Sequence, residues 1–194
     1  VVLQLGAIFA VMVLFFHKLN PLSPRKSAEL KKGAWNLWFK VVVAVIPSAV
    51  VGLLLDDWMD AHLYNHVVVA VMLVVYGVAF LLVERRNAAA TAKIADVDTI
   101  DYRTAILMGA FQCLSLIPGT SRSGATILGG IFLGVSRSAA AEFSFFLAIP
   151  TMLGASALKL VKFLLDGAGA TGTEVMVLLT GCVVSFVVSL AVIK

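Results

Sequence analysis

Long apolar runs separated by short polar stretches set the organisation of this chain. Residues 1–16 form the first run, with Gln4 as its one strongly polar member, and it closes at His17-Lys18. A basic stretch follows, carrying Lys18, Arg25, Lys26, Lys31, Lys32 and Lys40 against Glu29 alone. Residues 39–55 make a second run, Asp56, Asp57 and Asp60 interrupt it, and 65–83 make a third. Glu84-Arg85-Arg86 then opens a polar linker that ends at Arg103. Two shorter runs come next, 104–117 and 124–135, on either side of a polar turn. Residues 141–165, a Gly-rich turn over 166–173, and a last run from Glu174 complete the chain.

A helix needs about 20 apolar residues to cross a hydrocarbon core. The long runs meet that length and predict full spans. The two short ones do not, and as a pair they predict a re-entrant hairpin over 104–135 with its tip among the other helices. Pro47 with Gly52 and Pro150 with Gly154 predict kinks in the second span and in 141–165. The order of span, kink, loop and span on both sides of the hairpin is a faint inverted repeat, and broken helices with polar tips at mid-membrane are typical of such folds. The expected fold class is an all-α polytopic integral membrane protein, an inverted-repeat helical bundle forming one domain over 1–194.

Composition agrees. With 61% hydrophobic residues, 13% charged residues and a mean hydropathy of +1.02, no ordinary soluble domain fits. The net charge of +4 sits in short loops without interleaved aromatics, so no nucleic-acid partner is expected. Lysine and arginine placement predicts cytoplasmic loops at 17–40 and 84–103 and an external loop at 56–64. Trp35 and Trp38 read as an interfacial belt, and His17, His62 and His66 as span-end residues without metal-ligand company. Cys113 and Cys182 lie in apolar runs and read as small core residues. Val1 starts in mid-run with no methionine or basic leader, and the expectation is a fragment lacking its first helix or helices and its extreme C-terminus.

The chemistry concentrates in Pro118-Gly119-Thr120-Ser121-Arg122-Ser123-Gly124-Ala125-Thr126. Pro118 and Gly119 end the preceding helix, and Ser121 and Ser123 suit the start of one near Gly124. An arginine at bilayer depth costs about 3 kcal/mol on insertion scales, which argues for a function. Amides at a helix start, hydroxyls and a guanidinium together favour a phosphate. Arg122 is the expected clamp, its alternative being a structural arginine satisfying carbonyls at the tip. Ser121 is either a nucleophile or a phosphate-binding hydroxyl and cap. Thr126 is either a hydroxyl facing the anion or a packing residue. Gly119, Thr120, Ser123 and Gly124 are expected substrate-binding positions. Gln4 and Glu142 have supporting roles behind them, with cross-helix bonding and helix-start charge as the respective alternatives.

The nine-residue motif matches the P-G-x-S-R-S-x-x-T pattern of the undecaprenyl-diphosphate phosphatase (bacitracin-resistance) family, which the chain resembles over nearly its whole length. Phe111-Gln112-Cys113-Leu114, Gly134-Val135-Ser136-Arg137, Ala141-Glu142-Phe143-Ser144-Phe145 and the opening Val1-Val2-Leu3-Gln4-Leu5-Gly6-Ala7-Ile8 resemble it too. The resemblance implies an interdigitated inverted repeat with two re-entrant hairpins in the bacterial inner membrane, its site opening outward. It implies hydrolysis of undecaprenyl diphosphate to recycle the carrier lipid of peptidoglycan and other envelope glycans, with bacitracin resistance as the consequence. Ser121, Arg122 and Thr126 then fall on active-site positions. The implied cofactor is a divalent cation, Mg or Ca. Its ligands are expected mainly from a family segment, a Glu-x-x-x-Glu with Ser-Ser-Thr-Gly-His, that this chain does not contain, so the fragment alone is expected to be inactive. The expected partners are the polyprenyl diphosphate lipid and the bilayer, with a homodimer left open. A polyprenyl-phosphate flippase or other inverted-repeat transporter is the competing function.

Overall fold

The computed structural model describes residues 2–23, 26–87, 92–165, 169 and 171–193. Val1, Pro24, Arg25, the linker positions 88–91, half of the expected 166–173 turn and Lys194 lie outside the described residues. Among the described residues the chain forms eight α-helices and no strand beyond a single isolated bridge. They are α1 (Gln4–Leu14), α2 (Phe16–Leu19), α3 (Ala28–His62), α4 (His66–Asn87), α5 (Tyr102–Gln112), α6 (Arg122–Phe132), α7 (Arg137–Leu165) and α8 (Gly172–Ile193). Among the described residues, four stretches are long and apolar enough to cross a membrane: Ala28–Leu55, His66–Asn87, Arg137–Leu165 and Gly172–Ile193. The chain is an all-α polytopic membrane protein.

Several boundaries differ from the expected ones. The first run is not one helix: α1 stops at Leu14, Phe15 leaves helical geometry, and α2 adds one turn. The basic stretch is a loop only as far as Ser27, since α3 begins at Ala28 and takes in Lys31, Lys32 and Lys40. The same helix carries through the Asp56, Asp57 and Asp60 positions to His62, which leaves residues 63–65 as the turn before α4. Lysine and aspartate are tolerated inside a helix, and at 35 residues α3 spans about 52 Å, so both ends outrun a hydrocarbon core of about 30 Å. Pro47 and Pro150 both lie inside continuous helices. The residue after each is a hydroxyl that donates back to the helix, Ser48 to the Val45 carbonyl (3.0 Å) and Thr151 to the Ala148 carbonyl (3.2 Å).

The chain divides into two compact units, residues 1–36 with 148–194, and residues 37–147. In the first, α1 packs on α8. Gly6 makes this possible, because a side chain there would overlap the Cys182 carbonyl, and Leu3 lies over Gly181. Small residues that let backbones meet are the usual device of membrane helix pairs, where lipid removes most of the hydrophobic drive.

The second unit holds the motif. Its core is built from Leu37, Val41, Val97, Ile100, Met108, Phe143, Phe146 and Leu147, all 2% exposed or less. α5 and α6 pack on each other as the two arms of a hairpin. Gly109 lets α5 approach α3, since a Cβ there would overlap the Ala44 carbonyl. After Gln112 the first arm tightens into a 3₁₀ turn, Cys113–Leu116. Eleven α-helical and four 3₁₀ residues give that arm about 25 Å, longer than two half-helices suggest.

Residues 92–101 tie the base of the hairpin together. The amides of Lys93 and Ile94 donate to the Gly134 carbonyl at 2.9 and 3.2 Å, and the Ser136 amide returns a bond to the Ile94 carbonyl at 2.8 Å. Ser136 Oγ donates to the Ala95 carbonyl, and Asp101 caps α5 by accepting from the Thr104 amide. Hairpin start and hairpin end therefore lie side by side. Arg137, just past the exit, pairs with Glu84 near the end of α4.

Candidate active site

The turn over 117–121 is shaped by its backbone. The Thr120 amide donates to the Ile117 carbonyl at 3.1 Å, and Gly119 sits at φ +88°. That left-handed conformation strains any residue with a Cβ. Space forbids one as well: a Cβ on Gly119 would stand 2.7 Å from the Val69 carbonyl oxygen. Val69 lies near the start of α4, whereas Glu84, paired with Arg137, lies near its end. The hairpin thus runs along about 22 Å of α4. Its tip stands near one end of that helix, where the sequence pattern led us to expect mid-membrane depth. The 3₁₀ extension of the first arm supplies the added reach.

Ser121 is the N-cap of α6. It is extended (φ −72°, ψ 123°), and its Oγ accepts from the Gly124 amide at 3.2 Å while its carbonyl accepts from the Ala125 amide. The expected helix start near Gly124 moves back to Arg122, with Ser121 alone as the cap. Ser123 Oγ lies 3.4 Å from Ser121 Oγ, so the two hydroxyls share one patch. Ser121 is exposed, Arg122 and Ser123 are half-buried, and Gly124 is buried against the Phe80 ring.

Thr126 is fully buried, and its hydroxyl donates to the Arg122 carbonyl at 3.1 Å. Of its two expected roles, the geometry has the hydroxyl bonded back into its own helix rather than aimed outward. Thr120 is the reverse: its Oγ1 is buried and has no hydrogen-bond partner among the described residues. Gln4 opens α1 in the other unit and is exposed. Glu142 is half-buried in the second turn of α7, because that helix begins at Arg137 instead of near Ala141. The dipole falls off within the first turn, so helix-start charge does not account for Glu142.

Two buried links were not legible as site features. Gln112 at the end of α5 donates to Ser48 Oγ at 2.9 Å, both side chains being under 9% exposed. Lys40, 5% exposed, donates to the Asp98 carbonyl at 3.0 Å and so fastens α3 to the segment that binds the hairpin base. Asp101 in that segment is held below the usual carboxylate range, chiefly by hydrogen bonds from Thr104. The described residues contain no cluster of three or more His, Cys, Asp or Glu side chains. By themselves they do not form a divalent-cation site.

Chemically, the turn offers a guanidinium, two adjacent hydroxyls and helix-start amides, all donors to an anion. The family profile of bacitracin resistance protein BacA matches residues 1–194, the whole chain. The chain belongs to the bacitracin resistance protein BacA family. Within it, an undecaprenyl-diphosphatase of Enterococcus faecalis is 56% identical over 194 residues, covering 100% of this chain and 70% of the relative. One from Lactiplantibacillus plantarum is 59% identical over 189 residues (97% and 69%), and one from Streptococcus thermophilus is 58% identical over 194 residues (100% and 67%). In this member of the BacA family, the half-buried hairpin turn carries Ser121, Arg122 and Ser123 in consecutive positions at the start of α6.

Proposed function

We propose that this protein hydrolyses undecaprenyl diphosphate to undecaprenyl phosphate and inorganic phosphate. The reaction returns the lipid carrier to peptidoglycan and other envelope glycan synthesis and confers bacitracin resistance. The observation that carries the reading is more than 50% identity, along the whole chain, to relatives named for this activity. The geometry of the 118–126 turn supports it, because a basic, hydroxyl-lined helix start among apolar spans suits a phosphate on a greasy tail.

In this reading Arg122 clamps the terminal phosphate, whose planar pairs of oxygens suit a guanidinium better than an ammonium. Its charge offsets the negative charge that builds on the transferred phosphoryl group. Ser121 and Ser123 hydroxyls and the amides that begin α6 orient the phosphate oxygens. Thr126, bonded to the Arg122 carbonyl, fixes the turn that carries the clamp. Overall, a water oxygen bonds to the terminal phosphorus, the bridging P–O bond breaks, and inorganic phosphate leaves. The divalent cation implied by the resemblance would neutralise the diphosphate.

The site belongs to a re-entrant hairpin in the bacterial inner membrane. Its neighbouring start and end, clipped together by residues 92–101, support that placement. The tip approaches the end of α4 that charge placement assigns to the outside, in keeping with a site that opens outward. A homodimer completes the proposed assembly. The test is phosphate release from C55-isoprenyl diphosphate by the purified full-length protein in proteoliposomes. Movement of the lipid between leaflets without phosphate release would instead mark a carrier.

A further inference from the structure

Between Val67 and Val83, only one side chain of α4 carries a nitrogen or oxygen atom, that of Tyr76. It stands about 15 Å from either end of this 22-residue helix, too deep for the headgroup belt where tyrosines normally anchor spans. One side of α4 is half-buried, including Val69, Met72, Tyr76, Phe80 and Val83, while Val67, Val71, Val74, Val75 and Val78 are exposed. That side faces the hairpin, because Val69 touches Gly119 and the Phe80 ring touches Gly124. Helical residues lean toward their own N-terminus. The Tyr76 ring therefore reaches from between those two contacts toward the turn that joins Gly119 to Gly124.

The Tyr76 hydroxyl is buried and has no hydrogen-bond partner among the described residues, and the same is true of Thr120 Oγ1 in that turn. A buried unpaired hydroxyl is destabilising, and native proteins keep few of them without a reason. Here one lies on the side of α4 that meets the hairpin, between the residues that contact Gly119 and Gly124, and the other lies in the turn between those two glycines. We propose that Tyr76 is a substrate-binding residue whose phenol, with the Thr120 hydroxyl, donates hydrogen bonds to the phosphate oxygens of the lipid diphosphate. A phenol suits the place: it is a donor that stays neutral at physiological pH, so no further charge is buried in the span. The assignment rests on the diphosphatase reading above.

Tyr76→Phe and Thr120→Val each remove one hydroxyl and keep the shape. In the full-length protein, kcat/KM for C55-isoprenyl diphosphate is expected to fall about tenfold in each (about 1.4 kcal/mol), with Tm unchanged or raised. A fall smaller than threefold in Tyr76→Phe overturns the assignment. So does a loss of activity accompanied by a lower Tm, which would mean that the hydroxyl was satisfied inside the fold. Arg122→Ala, measured alongside, separates the two readings. If it abolishes hydrolysis while Tyr76→Phe behaves as the parent, only the Tyr76 assignment falls; if Arg122→Ala is also unaffected, the diphosphatase site itself is misplaced.

Discussion

Gly119 lies directly on the backbone of Val69, closer than any residue with a side chain could approach. One hairpin turn is thereby pinned to one spanning helix, and Ser121, Arg122 and Ser123, which follow in sequence, are placed by that contact.

Gly119→Ala is expected to be severe. It forces a Cβ onto a positive φ and into the Val69 carbonyl, and strain with overpacking should cost about 2–4 kcal/mol. Gly33 is the control: its built Cβ meets nothing within 4 Å in the interior of α3, so Gly33→Ala should be neutral or stabilising by up to about 1 kcal/mol. Thermal melting of both variants in detergent checks the contrast; equal Tm values would mean that the tight contact does not exist.

Ser121 caps α6, and its proposed contact with phosphate is separable from that duty. Glycine is nearly as good an N-cap as serine, losing only a few tenths of a kcal/mol. Ser121→Gly should therefore keep Tm within about 2 °C for a chain of this size and still lose most of its hydrolytic rate. A variant that is both stable and fully active would reduce Ser121 to a cap.

Gln112 and Ser48 form a buried pair across α5 and α3. Ser48→Ala leaves the amide unpaired and should cost about 1–3 kcal/mol. Gln112→Met in the same background should recover part of that loss. A double-mutant cycle showing strict additivity would deny the bond.

Asp101 caps α5, and its folded carboxyl titrates below the ordinary range. A depressed folded pKa contributes stability above the unfolded value of about 3.9, and that contribution is lost as pH falls through the folded value. Asp101→Asn keeps the cap without the titration. From pH 6 to pH 2, the Tm of the parent should fall more steeply than that of Asp101→Asn; parallel curves would contradict the assignment.

Much of this was readable from residues alone, and for clear reasons. Apolar runs report spans because lipid leaves the backbone few alternatives, and Pro118-Gly119 followed by Ser121 spells a helix stop and a cap. Other features depend on contacts between distant residues. Nothing local in 92–101 reveals that Lys93 and Ile94 bond to Gly134, or that Lys40 reaches Asp98. The polar positions at both ends of α3 looked like loop because charge outside the hydrocarbon is compatible with loop and helix alike. Thr126 looked available to a ligand until its hydroxyl was found on the Arg122 carbonyl. Tyr76 did carry a signal, a lone phenol at the centre of a span, but it gains meaning only beside the turn it faces.

The most direct test is the rate of phosphate release from C55-isoprenyl diphosphate by the full-length protein with Arg122 replaced by Lys and by Ala. A bidentate clamp on the transferring phosphate requires Arg122→Ala to lose at least a hundredfold (about 2.7 kcal/mol), with Arg122→Lys only partly restored because it keeps charge without the fork. Activity within threefold of the parent in Arg122→Ala would contradict it.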